Sequence, residues 1–326
     1  MASPVLKIPV PRTILVFGAT GLIGKPITKE LVENIQSFDR LAIFTSVGGT
    51  EEKKALLASW KAAGADIIEG DVTDNEQILK AYKGIDTVVC ALGRGALAHQ
   101  INLIRLADAT PEISRFIPSE FGTDIEHSPA SKIEKPHQQK IKVRAALAAT
   151  KTLDYTYVVT GPFAAAEPGM YLSANTLHAE VGSFDVKGRR AVCIEDGRGK
   201  IALTTVSDVA KFVLKVLQHP ERCSRRALKL KSFTTTPQKI VEEFERQTDT
   251  TWDISYTSLP QLRNLDAQAL DSGNPVSAIY TLRRIWAEGG TLYNAWDNAE
   301  LGMEGDETDT LEDAVRLAIQ TQTAEV

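Results

Sequence analysis

Thr13-Ile14-Leu15-Val16-Phe17-Gly18-Ala19-Thr20-Gly21-Leu22-Ile23-Gly24 decides how the rest of the chain is read. Five β-prone residues, four of them apolar, end at a glycine, which predicts a short strand buried on both faces. Three glycines at Gly18, Gly21 and Gly24 follow, and then residues 25–32 carry Ile27, Leu31 and Val32 at helical spacing. Pro26 falls in the first helical turn, where a missing N–H costs nothing. A pyrophosphate needs backbone amides at a helix N-terminus. Gly18 allows the tight turn, Gly21 lets the phosphates approach, and Gly24 lets helix and strand pack closely. The strand, loop and helix together predict a dinucleotide site, with Gly18, Thr20, Gly21, Leu22, Ile23 and Gly24 as its phosphate-binding residues.

Working outward, the same rhythm repeats. Strands are expected at 40–45, 65–71, 86–91, 115–118 and 155–160, separated by helices over 51–63, 75–82 and 100–109. Such alternation implies right-handed crossovers and a parallel sheet, an α/β, doubly wound Rossmann fold. A further helix is expected from Val206, with Ser207 as its N-cap. The rhythm fades over 161–200 and after residue 231. The expected division is therefore a dinucleotide-binding core over 1–160, rejoined by 201–231, and a smaller, irregular substrate-binding lobe over 161–200 and 232–326.

Composition narrows the class. The 326 residues are 43% hydrophobic and 24% charged with net charge −5, as in an ordinary globular protein without the basic excess of a nucleic-acid or anionic-membrane binder. No apolar run approaches the roughly eighteen residues of a membrane span. The start lacks the apolar segment of a secretory signal. The three cysteines, Cys90, Cys193 and Cys223, form no CxxC pair. No disulfide framework or metal site is expected, and a cytoplasmic protein fits best. Cys90 ends an apolar strand and reads as a buried core residue.

The end of the second strand bears on cofactor choice. An acid there binds a ribose hydroxyl, and an arginine a 2′-phosphate. Here Thr45 and Ser46 are followed by Lys53 and Lys54, so hydroxyls with nearby ammonium groups favour NADP over NAD. Lys53 and Lys54 also lie beside Glu51 and Glu52, where they can pair on a solvated helix face. Asp71, Ala91, Leu92, Gly93, Ser119 and Phe121 are further candidates for cofactor contact.

At Arg115-Phe116-Ile117-Pro118-Ser119-Glu120-Phe121-Gly122 the chain resembles the NmrA-like branch of the atypical short-chain dehydrogenases, and within it the isoflavone reductase-like enzymes. The likeness extends over 17–29, 70–74, 116–122 and 140–163. It implies NADPH and a small-molecule substrate, with a lysine beside the nicotinamide as acid/base. His137-Gln138-Gln139-Lys140-Ile141-Lys142-Val143-Arg144 matches that family segment, so the role passes to Lys140, itself a cofactor contact. Pro136 stands where classical members of the wider superfamily have tyrosine, so Lys140 must act alone or through water. Hydride arriving at carbon leaves charge on oxygen, and a partly desolvated lysine can protonate it.

His137 replaces the family's usual phenylalanine. Three residues before Lys140 on a helix, it would share a face with it and offer a second proton-transfer group. Glu120, at the carboxyl end of the fifth strand, is a third catalytic candidate or a structural carboxylate. Thr45 stands where these reductases have an NADP-selecting arginine. Thr160, Gly161 and Phe163 are candidates for cofactor contact, and Met170, Tyr171 and His178 for substrate. Three functions compete: an NADPH-dependent reductase of an aromatic or alkaloid-like natural product, a cofactor-independent acid-base isomerase on the same fold, and a non-catalytic redox sensor.

Overall fold

A computed structural model describes residues 9–274 and 276–324. The first half alternates through β1 (Thr13–Phe17), α1 (Gly24–Glu33), β2 (Arg40–Thr45), α2 (Glu51–Ala62), β3 (Asp66–Glu69) and α3 (Asn75–Tyr82). It continues as β4 (Thr87–Cys90), α4 (His99–Asp108), β5 (Arg115–Ile117), α5 (Pro129–Ile133), α6 (Gln138–Ala148) and β6 (Asp154–Val159). Next come β7 (Ser183–Asp185), β8 (Arg190–Ile194), β9 (Ile201–Leu203), α7 (Val206–Gln218), α8 (Pro220–Cys223), β10 (Arg226–Lys229) and β11 (Phe233–Thr235). The chain closes with α9 (Pro237–Thr248), β12 (Asp253–Thr257), α10 (Leu259–Asp271), α11 (Ser277–Ala287) and α12 (Leu311–Thr323).

Two compact units share these elements. One takes the chain up to Phe121, then Gln139–Val159 and Val209–Leu228. The other takes Gly122–Gln138, Thr160–Asp208 and everything from Lys229 onward. Residues 122–138, within the stretch read above as core, thus group with the second unit.

The first unit is built on a seven-stranded sheet of order β10-β6-β5-β4-β1-β2-β3. Pairs β1–β2, β1–β4, β2–β3, β4–β5 and β5–β6 are all parallel. This is a doubly wound α/β sheet whose order reverses between β1 and β4, and ligands bind such sheets in the crevice at that reversal. The buried strands are apolar because both sheet faces are covered. Phe17, fully buried, meets Phe44 at 5.0 Å and Tyr82 edge-on at 6.2 Å between ring centres. Cys90 is fully buried, and desolvation pushes its thiol up to about 12, as a core residue requires. Charged groups lie deep as well. Arg115 is paired with Asp154 at 2.9 Å and donates to Thr156 at 2.6 Å, which offsets its desolvation.

In the second unit the fading rhythm conceals short regular pieces. β12, β8 and β7 form one small sheet, with β12–β8 parallel and β7–β8 antiparallel, and β11 pairs antiparallel with β9. Its core stacks Phe184 on Phe244 at 5.8 Å and Phe244 on Trp252 at 4.8 Å. The cap of α7 differs from expectation. Thr205, not Ser207, accepts the amide of Asp208 at 3.1 Å, and the helix has begun by Val206. A cap must precede the first helical residue, and Ser207 already lies inside.

Candidate active site

The glycine loop leaves β1 at Gly18, whose φ of +77° is open to glycine at no steric cost. A Cβ there would stand 2.6 Å from the carbonyl carbon of Ala91, just past β4. Gly24 is tighter still, since a Cβ would meet the Gly18 carbonyl oxygen at 2.0 Å. The loop folds back by a bond from the Gly21 amide to Gly18 oxygen at 3.0 Å. Ile23 is buried, whereas Gly21 and Leu22 are exposed. No side chain caps the N-terminus of α1, and no acid occupies its first turn. Pro26 has no N–H, and the amides of Lys25 and Ile27 already donate to the Gly21 and Ile23 carbonyls at 2.9 and 3.3 Å, so the amides left to meet an anion are those of Leu22, Ile23 and Gly24, which face no competing negative charge.

Beside this loop lies a cavity of about 580 Å³, bordered by Gly18, Thr20, Thr45, Ser46, Asp71 and Leu92. It occupies the carboxyl ends of the strands at the β1/β4 reversal, where a dinucleotide binds this kind of sheet. Thr45 is buried at the end of β2. The two lysines of α2 separate in role. Lys54 pairs with Glu51 at 2.7 Å, while Lys53 reaches back to the Ser46 carbonyl at 2.8 Å and hydroxyl at 2.9 Å. Asp71 accepts the amide and hydroxyl of Thr73, both at 2.8 Å, which hold its pKa below the usual carboxylate range.

The loops after β4 and β5 are tied together. Ser119 donates its hydroxyl to the Leu92 carbonyl at 2.8 Å, and its amide to Gln100 at 2.8 Å. Ala91 and Phe121 are buried, and Gly93 opens a short 3₁₀ turn carrying Arg94. Glu120 is fully buried and has two separate uses. Its carboxylate is gripped by Arg144 through Nε at 3.1 Å and Nη2 at 2.9 Å. Its main-chain oxygen accepts the ammonium of Lys140.

Lys140 and Arg144 are one turn apart on α6, so both reach Glu120. Arg144 also lies over the Tyr157 ring at 4.4 Å. Lys140 itself is half-buried, with its ammonium end enclosed among these groups. Burial lowers its pKa most, to about 8; Glu120 opposes the shift, while Arg94 and Arg144 add to it. At neutral pH it is a charged donor close to its titration point, a state suited to giving up a proton. The sequence reading overlooked Arg94, Arg144 and Gln100. For Arg144 the signal was available, in its spacing of four from Lys140.

The remaining candidates belong to the second unit. His137 is buried, with Nδ1 2.7 Å from the Ser131 carbonyl, so that nitrogen carries the proton. His137 stands just before α6, and Lys140 in its first turn. His137 closes a 3₁₀ turn, Lys135–His137, with Pro136 in its first positions, and this turn runs directly into α6 at Gln138. The amides of Thr160 and Gly161 both donate to the Gly122 carbonyl, at 3.0 and 2.9 Å. Phe163 bridges to Thr204. Met170 lends its carbonyl to Arg283 at 3.0 Å, and Tyr171 is buried. His178 Nδ1 meets the Tyr280 hydroxyl at 3.0 Å, and that hydroxyl donates to Glu180. All three cysteines are free and buried. Among the described residues no metal-binding group of His, Cys, Asp or Glu occurs, and no helix is long and apolar enough to cross a membrane.

Comparison with known proteins places this geometry. The model of the NmrA-like family matches residues 11–291. A phenylcoumaran benzylic ether reductase of Pinus taeda is 28% identical over 256 residues, covering 78% of this chain and 80% of its own length. An isoflavone reductase of Pisum sativum is 26% identical over 293 residues, covering 86% and 89%. The solved binary complex of leucoanthocyanidin reductase with NADPH from Vitis vinifera has the same fold. Its TM-score is 0.78 at 19% identity, over 94% of this chain and 99% of that one.

Proposed function

The chain belongs to the NmrA-like family, and on that premise we propose that it is an NADPH-dependent reductase of a small aromatic or alkaloid-like natural product. One observation carries the reading. Within a single unit, the glycine-loop cavity and the Lys140 ammonium lie at the same carboxyl edge of one sheet. The named activities of the relatives, on benzylic ethers and isoflavones, support the substrate class.

The residues present fit NADPH. The uncapped α1 terminus suits the pyrophosphate, and Lys53 with Ser46 would hold a 2′-phosphate in place of the family's arginine. When bound, NADPH supplies a hydride to the carbon of an activated alkene, carbonyl or benzylic ether. Lys140 Nζ would give its proton to the oxygen that gains charge, the carbonyl or enolate oxygen, or, for a benzylic ether, the oxygen that leaves as its bond to the benzylic carbon breaks. The Glu120 carbonyl orients the ammonium, and burial, with Arg94 and Arg144 adding to it, keeps it acidic enough to donate. We assign the Glu120 carboxylate to positioning Arg144, and His137 to holding the turn before α6. Thr160, Gly161 and Phe163 are proposed as cofactor contacts, and Met170, Tyr171 and His178 as substrate contacts. A cytosolic setting belongs to the same reading.

The test compares NADPH and NADH binding in the wild type and Lys140→Ala, with NADPH oxidation followed over a panel of aromatic ethers, alkenes and ketones. Preferred binding of NADPH, retained in the variant while turnover falls about 10²–10⁴-fold, is expected. Turnover that persists without any nicotinamide would instead establish the isomerase. An absence of NADPH oxidation across the panel would remove the reductase reading.

A further inference from the structure

Past the carboxyl ends of β4 and β5, within the first unit, Arg94, Lys140 and Arg144 gather around the carboxylate of Glu120. Arg144 already grips that carboxylate through Nε and Nη2. Lys140 gives its ammonium to a neutral carbonyl, and the Arg94 charge acts on it from close by. Three cations thus share one committed anion.

Arg94 is the cation left over. Its side chain is exposed and makes no hydrogen bond or ion pair among the described residues. Enough protein surrounds the guanidinium for desolvation to lower its pKa, and no acid opposes that shift. Its place is nonetheless fixed. The Gly93 carbonyl accepts the amide of Ala96 at 2.9 Å, which closes the turn Arg94–Ala96, and the Leu92 carbonyl before it accepts the Ser119 hydroxyl at 2.8 Å. Like charges held together in a partly desolvated place repel, and an anion that enters relieves both costs.

Sheet order separates this charge from the phosphates. In the run β5-β4-β1 the glycine loop leaves β1, whereas Lys140 is tied to Glu120 beyond β5. Arg94 follows β4, and its loop is bonded to the β5 side through Ser119. It therefore serves the lysine end of the site, where the hydride acceptor would lie.

We propose that the substrate is an aryl carboxylic acid, whose carboxylate is held by the Arg94 guanidinium while Lys140 serves the oxygen that gains charge. The planar fork of a guanidinium matches the two oxygens of a carboxylate, and an accessible arginine with unused donors can close on both. The carboxylate is a handle and is unchanged by the reaction. This inference rests on the reductase reading and narrows its substrate.

The probes are benzoate, phenylacetate and cinnamate, each matched with its neutral amide. Full-length protein saturated with NADP+ is titrated with each by calorimetry at constant ionic strength. At least one acid is expected to bind tenfold or more tighter than its amide, as one charge-assisted contact requires. Arg94→Gln should erase that preference with NADPH affinity retained, and Arg94→Lys, which keeps the charge but loses the fork, should keep part of it. Equal binding within all three pairs would overturn the proposal, and so would a preference that survives in Arg94→Gln. Weaker NADPH binding in Arg94→Gln, with no acid preference in the wild type, would make the arginine a cofactor clamp instead. NADPH oxidation with neutral aromatic ethers and ketones is followed on the same samples. Turnover of these without any preference for acids would remove the anionic substrate and leave the reductase reading standing.

Discussion

A single residue, Glu120, serves Lys140 in two ways. Its main-chain oxygen holds the ammonium, and its side-chain charge keeps the lysine pKa from falling further. Glu120→Gln removes only the second. The alkaline limb of the turnover profile, where Lys140 loses its proton, is therefore expected near pH 8 in the wild type and at lower pH in the variant. The sign follows from Coulomb's law, because deleting a nearby anion disfavours the charged lysine. The same change leaves Arg144 buried beside a neutral amide and should cost about 3–5 kcal/mol, measured by denaturant unfolding. A limb that stays in place would detach Glu120 from the titration of Lys140. Lys53 allows an independent test. Its ammonium, held over Ser46, is the nearest substitute for the family's arginine. Lys53→Ala should reduce the NADPH-over-NADH preference by about 10- to 150-fold, the loss of one charge-assisted contact of about 1.5–3 kcal/mol, while NADH binding is unchanged. Titration of both cofactors reads it directly.

Elements were legible where the chain's own periodicity decides them. Residues 13–17 are apolar because both faces of β1 are covered, and glycine marks where that strand must end. The helix after Asp74 is signalled just as locally. The Asp74 carboxylate accepts the amides of Glu76 at 2.9 Å and Gln77 at 3.2 Å, so Asp74→Ala should lower stability by about 1 kcal/mol without altering cofactor affinity. Urea unfolding with a parallel NADPH titration separates the two. Other elements draw their order from distant partners. β8 and β12 pair through Arg190 with Asp253 and Val192 with Ser255, a mixed apolar and polar register that no local window reveals as a strand. β10, only Arg226-Ala227-Leu228-Lys229, is likewise defined by its place at the sheet edge beside β6. At the site, the lysine was legible from its motif. Its electrostatic setting was not, because Arg94 and Glu120 reach it only once β4, β5 and α6 are assembled.

At the scale of the whole molecule, a ligand that binds only the folded state stabilises it by mass action. NADPH at about 100 times its dissociation constant should add about 2.7 kcal/mol, seen as a higher unfolding midpoint. Hydrogen exchange should slow first in the amides of residues 18–24, where the uncapped end of α1 would meet the phosphates in the proposed complex. Protection confined to the second unit would contradict the placement of the cofactor. The units themselves are interleaved, three stretches of chain in each, so the backbone passes from one to the other five times. Two of these passages, at Phe121 and Val159, follow the carboxyl ends of β5 and β6. A domain fused to a terminus would give a single passage. Both units are therefore discontinuous in the chain, and no single cut in the gene would release either unit in one piece.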